Sequence, residues 1–419
     1  MKNRSYKHWV VVAMMCCLAA GSIGICTNAT GVFYTPVSDS LGVLRGSFAM
    51  HATLQSLAMA VVTLIVPKIM NRKNFKTILT GGVLLSVVTT GMMGVSHSLW
   101  MFFALGILRG IGLGVYAIVP LTMIISNWFD QKNGVATSIA LSFSGLAGAV
   151  FSPLFSFLIS KVGWQQSYFI QAAALMAVTL PALLVKWTVT PKQSNLLPYG
   201  YEEKDKKQIR INLTGFNVLT VSFMCMCVFS VLHTSITGVS QHLSGFATSI
   251  GLSASFGATL MSLTMIGNIS TKLIIGIISD RFGPICASVI MIVANMLSIG
   301  MLMAGMPGSN AMILTVGSFV FGSVYAVGAV GLPLLTRYFF GQENYSQAYA
   351  KIGFLTSVGS SLSLTLIGYL YDFTGTYLYM LIFAMAFHII DLILIVVIRA
   401  KVKQNITAKK CSNNLYHTS

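Results

Sequence analysis

Acidic side chains are scarce in this sequence: nine Asp and Glu among 419 residues, with charged residues of either sign making up only 8%. Soluble domains carry about 25% charged residues, so a globular protein with a solvated surface is excluded. Cysteine is also sparse and badly placed for chemistry. Six of the seven (Cys16, Cys17, Cys26, Cys225, Cys227 and Cys286) lie in apolar segments, where cysteine acts as a small hydrophobe, and Cys411 stands alone near the C-terminus. That pattern offers no disulfide framework and no metal-ligand spacing, so neither a metal nor any other cofactor is expected. No nucleophile–base pair stands in the apolar runs, which argues against an enzyme. The first apolar run is expected to be a span and not a cleavable leader, because it extends from Trp9 to Tyr34, beyond the 7–15 residues of a signal core.

What the chain does have is hydrophobic residues, 55% of the total, and a net charge of +17. The basic residues sit in short loops between long apolar runs, where membrane topology places them, so nucleic acid is not an expected partner. A helix needs about 20 apolar residues to cross the bilayer. On that criterion the spans fall near 9–34, 47–69, 77–96, 99–126, 134–160, 164–186, 214–237, 249–275, 284–305, 309–336, 346–371 and 376–398. The expected organisation is an all-α integral membrane protein of twelve helices in two related bundles. Residues 1–186 form the first bundle, 187–213 a polar cytoplasmic linker with Glu202 to Lys207, 214–398 the second bundle, and 399–419 a cytoplasmic tail. If the N-terminus is cytoplasmic, 21 Lys and Arg face that side and only Arg45 and Lys161 face the other, which places both termini inside.

The second half echoes the first at an offset of about 210 residues. Ile65 to Arg72 after span 2 matches Ile274 to Arg281 after span 8, Trp128 to Asn133 matches Phe339 to Asn344, and Tyr116 falls in register with Tyr325. Repeated halves are what an alternating-access carrier uses, with its site between them.

Gly276-Ile-Ile-Ser-Asp280-Arg281-Phe-Gly283 resembles the loop 8–9 signature of the major facilitator superfamily, and Arg109-Gly110-Ile-Gly112-Leu-Gly114 is similar to its Arg-containing span 4 motif. More narrowly, the chain resembles the oxalate/formate antiporter and monocarboxylate porter branch. The residues that carry this are Gly31-Val-Phe with Pro36, Gly42-Val-Leu-Arg45, Trp128-Phe129 through Gly134, Gly145, Gly148 and Pro153 to Gly163-Trp164, and Leu197-Pro-Tyr-Gly200. The resemblance implies the major facilitator fold, a commonly monomeric carrier, and gating roles for Asp280, Arg281 and Arg72. It also implies that a lysine of span 11, such as Lys351, can bind substrate. Two departures stand out: loop 2–3 reads Asn71-Arg72 without the motif's acid or glycine, and Lys272 occupies the span 8 position where the antiporter branch usually shows arginine.

Lys272 lies about 12 Å along its helix from Asp280, well inside the hydrocarbon, and Arg109 is similarly deep in span 4. An ionised side chain at that depth costs about 2.5–3.5 kcal/mol on insertion scales and needs a partner or a polar cavity. Only Asp391 stands well inside a span among the acids. Two buried cations against one acid favour an anionic ligand. Snorkelling of Lys272, a purely structural Arg109 and a cytoplasmic-end anchor at Lys351 are the bland alternatives. Gln55, Tyr116 and Tyr325 are further candidates for the substrate cavity. His51, His233 and His388 read as interhelical hydrogen-bonders or as proton relays. Pro120 and Pro333 are expected to kink spans 4 and 10, and Gly145 with Ala149 to mark a close helix contact. The expected function is transport of a mono- or dicarboxylate by exchange. Proton-coupled carboxylate symport, proton-driven export of organic cations, and a transporter-fold sensor are the alternatives.

Overall fold

The computed structural model describes residues 5–43, 45–70, 75–201, 220–306, 308 and 310–416. Arg72, the charged linker stretch Glu202 to Lys207 and the start of span 7 at 214–219 lie outside them, as does the side chain of Arg45. The described residues are almost wholly helical, and ten helices are long and apolar enough to cross a membrane. Two of these, Asn133–Leu184 and Ala311–Ser363, run to 52 and 53 residues and each contains two spans. The first turns at Gly163 (φ 83°) and the second at Gly341 (φ 74°), left-handed positions that glycine adopts without a Cβ clash. The described residues therefore form twelve spans.

In order they are Tyr6–Phe33, Arg45–Met70, Phe75–Met93, Leu99–Trp128, 133–162, 164–184, Val221–Ser235 continuing into Gly238–Ser249, Ala254–Phe282, Pro284–Gly305, 311–340, 342–374 and Leu378–Tyr416. The last helix runs on through the tail without a break. Apolar side chains such as Val61, Leu64, Val88, Phe157, Leu297 and Val396 stay exposed on the helix faces, as a lipid-facing belt requires.

The chain divides into two compact units, Met1–Tyr201 with Asn268–Asp280, and Glu202–Gly267 with Arg281–Ser419. The second has a core of Leu243, Phe246, Leu260, Ile299, Leu302, Leu314, Phe321 and Leu381, drawn from spans 7, 8, 9, 10 and 12. In the first, spans 2 and 4 approach closely because Gly106 and Gly110 lie one turn apart on one face. A Cβ on Gly106 would stand 2.6 Å from the His51 carbonyl oxygen, and one on Gly110 would strike that of Gln55.

Spans 1, 4 and 10 are broken where the sequence permits it. Span 1 is α-helical over Ser5–Ala19 and then widens into a π-helix over Ala20–Asn28. Span 4 breaks over 115–117, where Ala117 is extended. The cause is Pro120: it has no N–H to give the Tyr116 carbonyl, and the Ser22 hydroxyl of span 1, whose nearer acceptor is the Leu18 carbonyl at 2.7 Å, lies 3.2 Å from that oxygen. Span 10 has a matching interruption at Gly322 and a π-turn over Val327–Gly331 just before Pro333. Gly145 packs against Ile269 and Gly148 against Asn28, while Ala149 is exposed; the expected Gly145–Ala149 contact is thus made by Gly145 and Gly148.

The linker motif Leu197-Pro-Tyr-Gly200 docks on the end of span 4. Tyr199 N–H donates to the Trp128 carbonyl at 2.8 Å, and the Tyr199 carbonyl accepts from Asp130 and Gln131 N–H, each at 3.1 Å. His8 bonds the Leu197 carbonyl at 2.9 Å, tying span 1 to the same loop.

Candidate functional site

Arg109 is wholly buried in the first unit. Its Nε donates to Gln55 Oε1 at 2.5 Å, and no carboxylate pairs with it among the described residues. Gln55 is oriented by its other end, whose Nε2 donates at 3.4 Å to the Cys26 carbonyl in the π-segment of span 1. Gln171 likewise donates to the Ile25 carbonyl at 3.0 Å. A wide π-turn leaves main-chain carbonyls open to such partners, which is why π-segments recur at functional sites. Arg109 Nη1 and Nη2 make no hydrogen bond. The guanidinium is thus held by one edge, and the two donors that match the oxygens of a carboxylate end-on are unused.

Lys272 is also buried, at 5% exposure, so its ammonium does not snorkel out. Its Nζ has one weak contact, to the Ser144 hydroxyl of span 5 at 3.5 Å, and no acid pairs with it among the described residues. Asn28, at the end of the π-segment, donates to the Ser144 carbonyl at 3.1 Å, so Ser144 touches both side chains. Asn268, one turn before Lys272 and buried, has its Oδ1 unpartnered.

Asp280 places its two oxygens 2.8 Å from the N–H groups of Gly134 and Val135, in the first turn of span 5. A carboxylate there satisfies two donors that no helical carbonyl can reach and meets the positive end of the helix dipole. Arg281 is exposed. Tyr116 is fully buried at the break of span 4. In the second unit, Tyr325 follows the break of span 10, with its hydroxyl 2.5 Å from Ser240 Oγ. Lys351 is half-buried on span 11, within electrostatic range of Cys227. The first unit therefore brings together Arg109, Gln55 and the broken part of span 1, and the Lys272–Ser144 contact lies in that unit too.

The Major Facilitator Superfamily model matches residues 16–364 and, in a second match, 235–411. The chain belongs to this superfamily. Among its relatives, this facilitator is 25% identical to the MFS-type transporter YhjX of Escherichia coli over 78% of its own length and 80% of that protein. It is 23% identical to human monocarboxylate transporter 12 over 88% and 76% of the two chains, and 22% to the Escherichia coli sialic acid transporter NanX over 67% and 74%. Among solved structures it superposes on the facilitator FucP in its outward conformation with a TM-score of 0.67, at 12% identity, covering 94% and 99% of the two chains. For the proton:xylose symporter XylE the TM-score is 0.71, at 11% identity, covering 96% and 97%. The chain is a multi-pass membrane transporter and not an enzyme.

The facilitator also holds a cluster that sequence reading did not assemble. Asp391 of span 12 is fully buried, and its Oδ2 lies 3.0 Å from His233 Nδ1 of span 7 and 3.4 Å from His388 Nδ1 one turn away. The one mid-span acid is therefore engaged by two histidines of the second unit. The i, i+3 spacing of His388 and Asp391 was a legible signal for half of this cluster, but nothing in the sequence attaches His233. Among the described residues, these three groups could hold a metal ion, with ligand atoms all within 4.8 Å of one another.

Proposed function

We propose that this facilitator carries a small organic anion, a mono- or dicarboxylate, by alternating access with exchange. The observation that carries the reading is the Arg109 guanidinium, buried and fixed by Gln55, with Nη1 and Nη2 unpartnered. A buried donor without an acceptor costs about 1–3 kcal/mol, and more when it is charged. A carboxylate supplies two acceptors and the missing negative charge together. Lys272 supplies a second cation that meets only a hydroxyl. Two relatives are named for acids, human monocarboxylate transporter 12 and NanX, which agrees with this substrate class. A cation exporter would need free acids in its cavity, and Asp391 is already engaged by histidines.

In this reading Gln55 orients Arg109, Lys272 holds the second end or second charge of the anion, and Tyr116, Tyr325 and Lys351 complete the path. Asp280, capping span 5, is the latch that opens and closes with the cycle, assisted by Arg281 and Arg72. The protein works as a monomer in the plasma (inner) membrane with both termini cytoplasmic.

The test is uptake of labelled carboxylates into proteoliposomes preloaded with unlabelled counter-substrate. Lys272→Gln and Arg109→Gln are each expected to reduce exchange at least a hundredfold while the protein remains folded. Wild-type exchange rates in Lys272→Gln and Arg109→Gln would overturn the assignment of the site.

A further inference from the structure

The buried cluster of His233, His388 and Asp391 has no part in the anion site, and its hydrogen bonds turn three acceptor atoms toward one another. Each ring is held through Nε2. His233 Nε2 lies 3.0 Å from the Val324 carbonyl, which only accepts, so that nitrogen carries the hydrogen. Asn295 Nδ2 donates to the Phe321 carbonyl at 2.8 Å and reaches Ser323 Oγ at 3.2 Å, which turns its Oδ1 toward His388. His388 Nε2, 2.7 Å from that Oδ1, therefore carries the hydrogen too. A neutral imidazole has a single N–H, so both Nδ1 atoms present lone pairs. They face Asp391 Oδ2, which is 3.0 Å from His233 and 3.4 Å from His388. Three electron-pair donors thus converge in a place closed to solvent, and His388 Nδ1 and Asp391 Oδ1 make no hydrogen bond.

We propose that this cluster is a transition-metal site, suited to zinc, that fastens span 7 to span 12. A proton bridges one of the two nitrogens to the carboxylate and leaves the other facing an oxygen; a metal ion satisfies all three atoms together. Zinc held tetrahedrally by nitrogen and oxygen at about 2.0–2.2 Å spaces its ligands about 3.3 Å apart. The two separations from Asp391 Oδ2, 3.0 and 3.4 Å, fall on either side of that value. Two imidazoles and a carboxylate suit zinc, whereas calcium and magnesium need sets of oxygens. Metal-bound histidines generally donate their other N–H to a carbonyl or carboxylate, which fixes the ring and strengthens the bound nitrogen as a ligand. The Val324 carbonyl and Asn295 Oδ1 are those acceptors here.

Asp391 offsets half of the ion's charge, and the remainder falls on two rings whose Nε2–H groups point at oxygens. Three protein ligands make a site of the type that completes its coordination with water. His388 and Asp391 stand one turn apart on span 12, so the ion chelates that helix and crosses to span 7. Through the Val324 carbonyl and Asn295 the same site engages spans 10 and 9. It is a structural tie within the second unit. None of its ligands belongs to the anion path, so the proposal depends neither on the anion's identity nor on exchange.

The test uses the full-length protein, purified without a polyhistidine tag, exposed to zinc and then dialysed. Elemental analysis is expected to find about one zinc per chain in the wild type, and less than about a tenth of that in Asp391→Asn and in His388→Gln. A strong chelator should lower the wild-type melting temperature and added zinc should restore it, while neither moves that of Asp391→Asn. X-ray absorption at the zinc edge needs no variant. It should show only nitrogen and oxygen neighbours, at about 2.0–2.2 Å, with the outer-shell scattering of imidazole. Wild-type protein that retains no zinc overturns the proposal and leaves the cluster bridged by a proton alone. Sulfur neighbours around the ion, or zinc held equally by Asp391→Asn, overturn it as well.

Discussion

Arg109 shows how much a single residue's surroundings decide. Its charge alone could have served helix packing, but one edge of the guanidinium is spent on Gln55 and the other is open. Arg109→Lys keeps the charge but replaces a planar fork with a point donor. We expect it to weaken carboxylate binding about ten- to a hundredfold, equivalent to losing one charge-assisted hydrogen bond of about 1.5–3 kcal/mol, with residual transport. Affinity measured by titration calorimetry on purified protein checks this, and unchanged affinity would mean the open edge is not the contact. The sequence marked Arg109 and Gln55 separately; their pairing depends on which faces of spans 2 and 4 meet. Lys272 was readable as buried from its depth in span 8, whereas its contact with Ser144 was not.

At the scale of elements, breaks and close contacts position these residues. The glycine face of span 4 sets its distance to span 2, and a methyl at Gly110 would strike the Gln55 carbonyl. Gly110→Ala is expected to lower stability by about 1–3 kcal/mol, as overpacking does, and to displace Gln55 from Arg109. Gly81→Ala on span 3, where a Cβ meets nothing within 4 Å, is the control and should be neutral or slightly stabilising. Thermal unfolding in detergent compares the two, and equal melting temperatures would refute the packing argument. Ser22→Ala should cost no more than about 1 kcal/mol in the same assay, because the single Ser22 hydrogen is shared between the Leu18 carbonyl at 2.7 Å and the Tyr116 carbonyl at 3.2 Å that Pro120 leaves open. The kink at Pro120 was legible, since proline cannot donate. The π-segment of span 1 was not, because its glycines permit a wide turn without requiring one.

For the whole molecule, the proposed anion should stabilise a transporter whose buried Arg109 and Lys272 pair with no acid among the described residues. A carboxylate at 100 times its dissociation constant adds about 2.7 kcal/mol. Screening mono- and dicarboxylates, neutral sugars and cationic dyes by thermal shift should therefore single out carboxylates, and Arg109→Gln should abolish the response. Stabilisation by cationic dyes alone would reverse the substrate class. The sequence by itself determined the membrane class, the twelve spans and the charge imbalance, because hydrophobic length and the placement of lysine and arginine are local properties of the chain. Only the tertiary structure decided which charges remain unpaired. Asp391 could have met Arg109, Lys272 or His233, and helix packing gave it to two histidines. Partner choice between distant helices depends on the rotation of each about its axis, set by the whole packed bundle and by no short stretch of sequence.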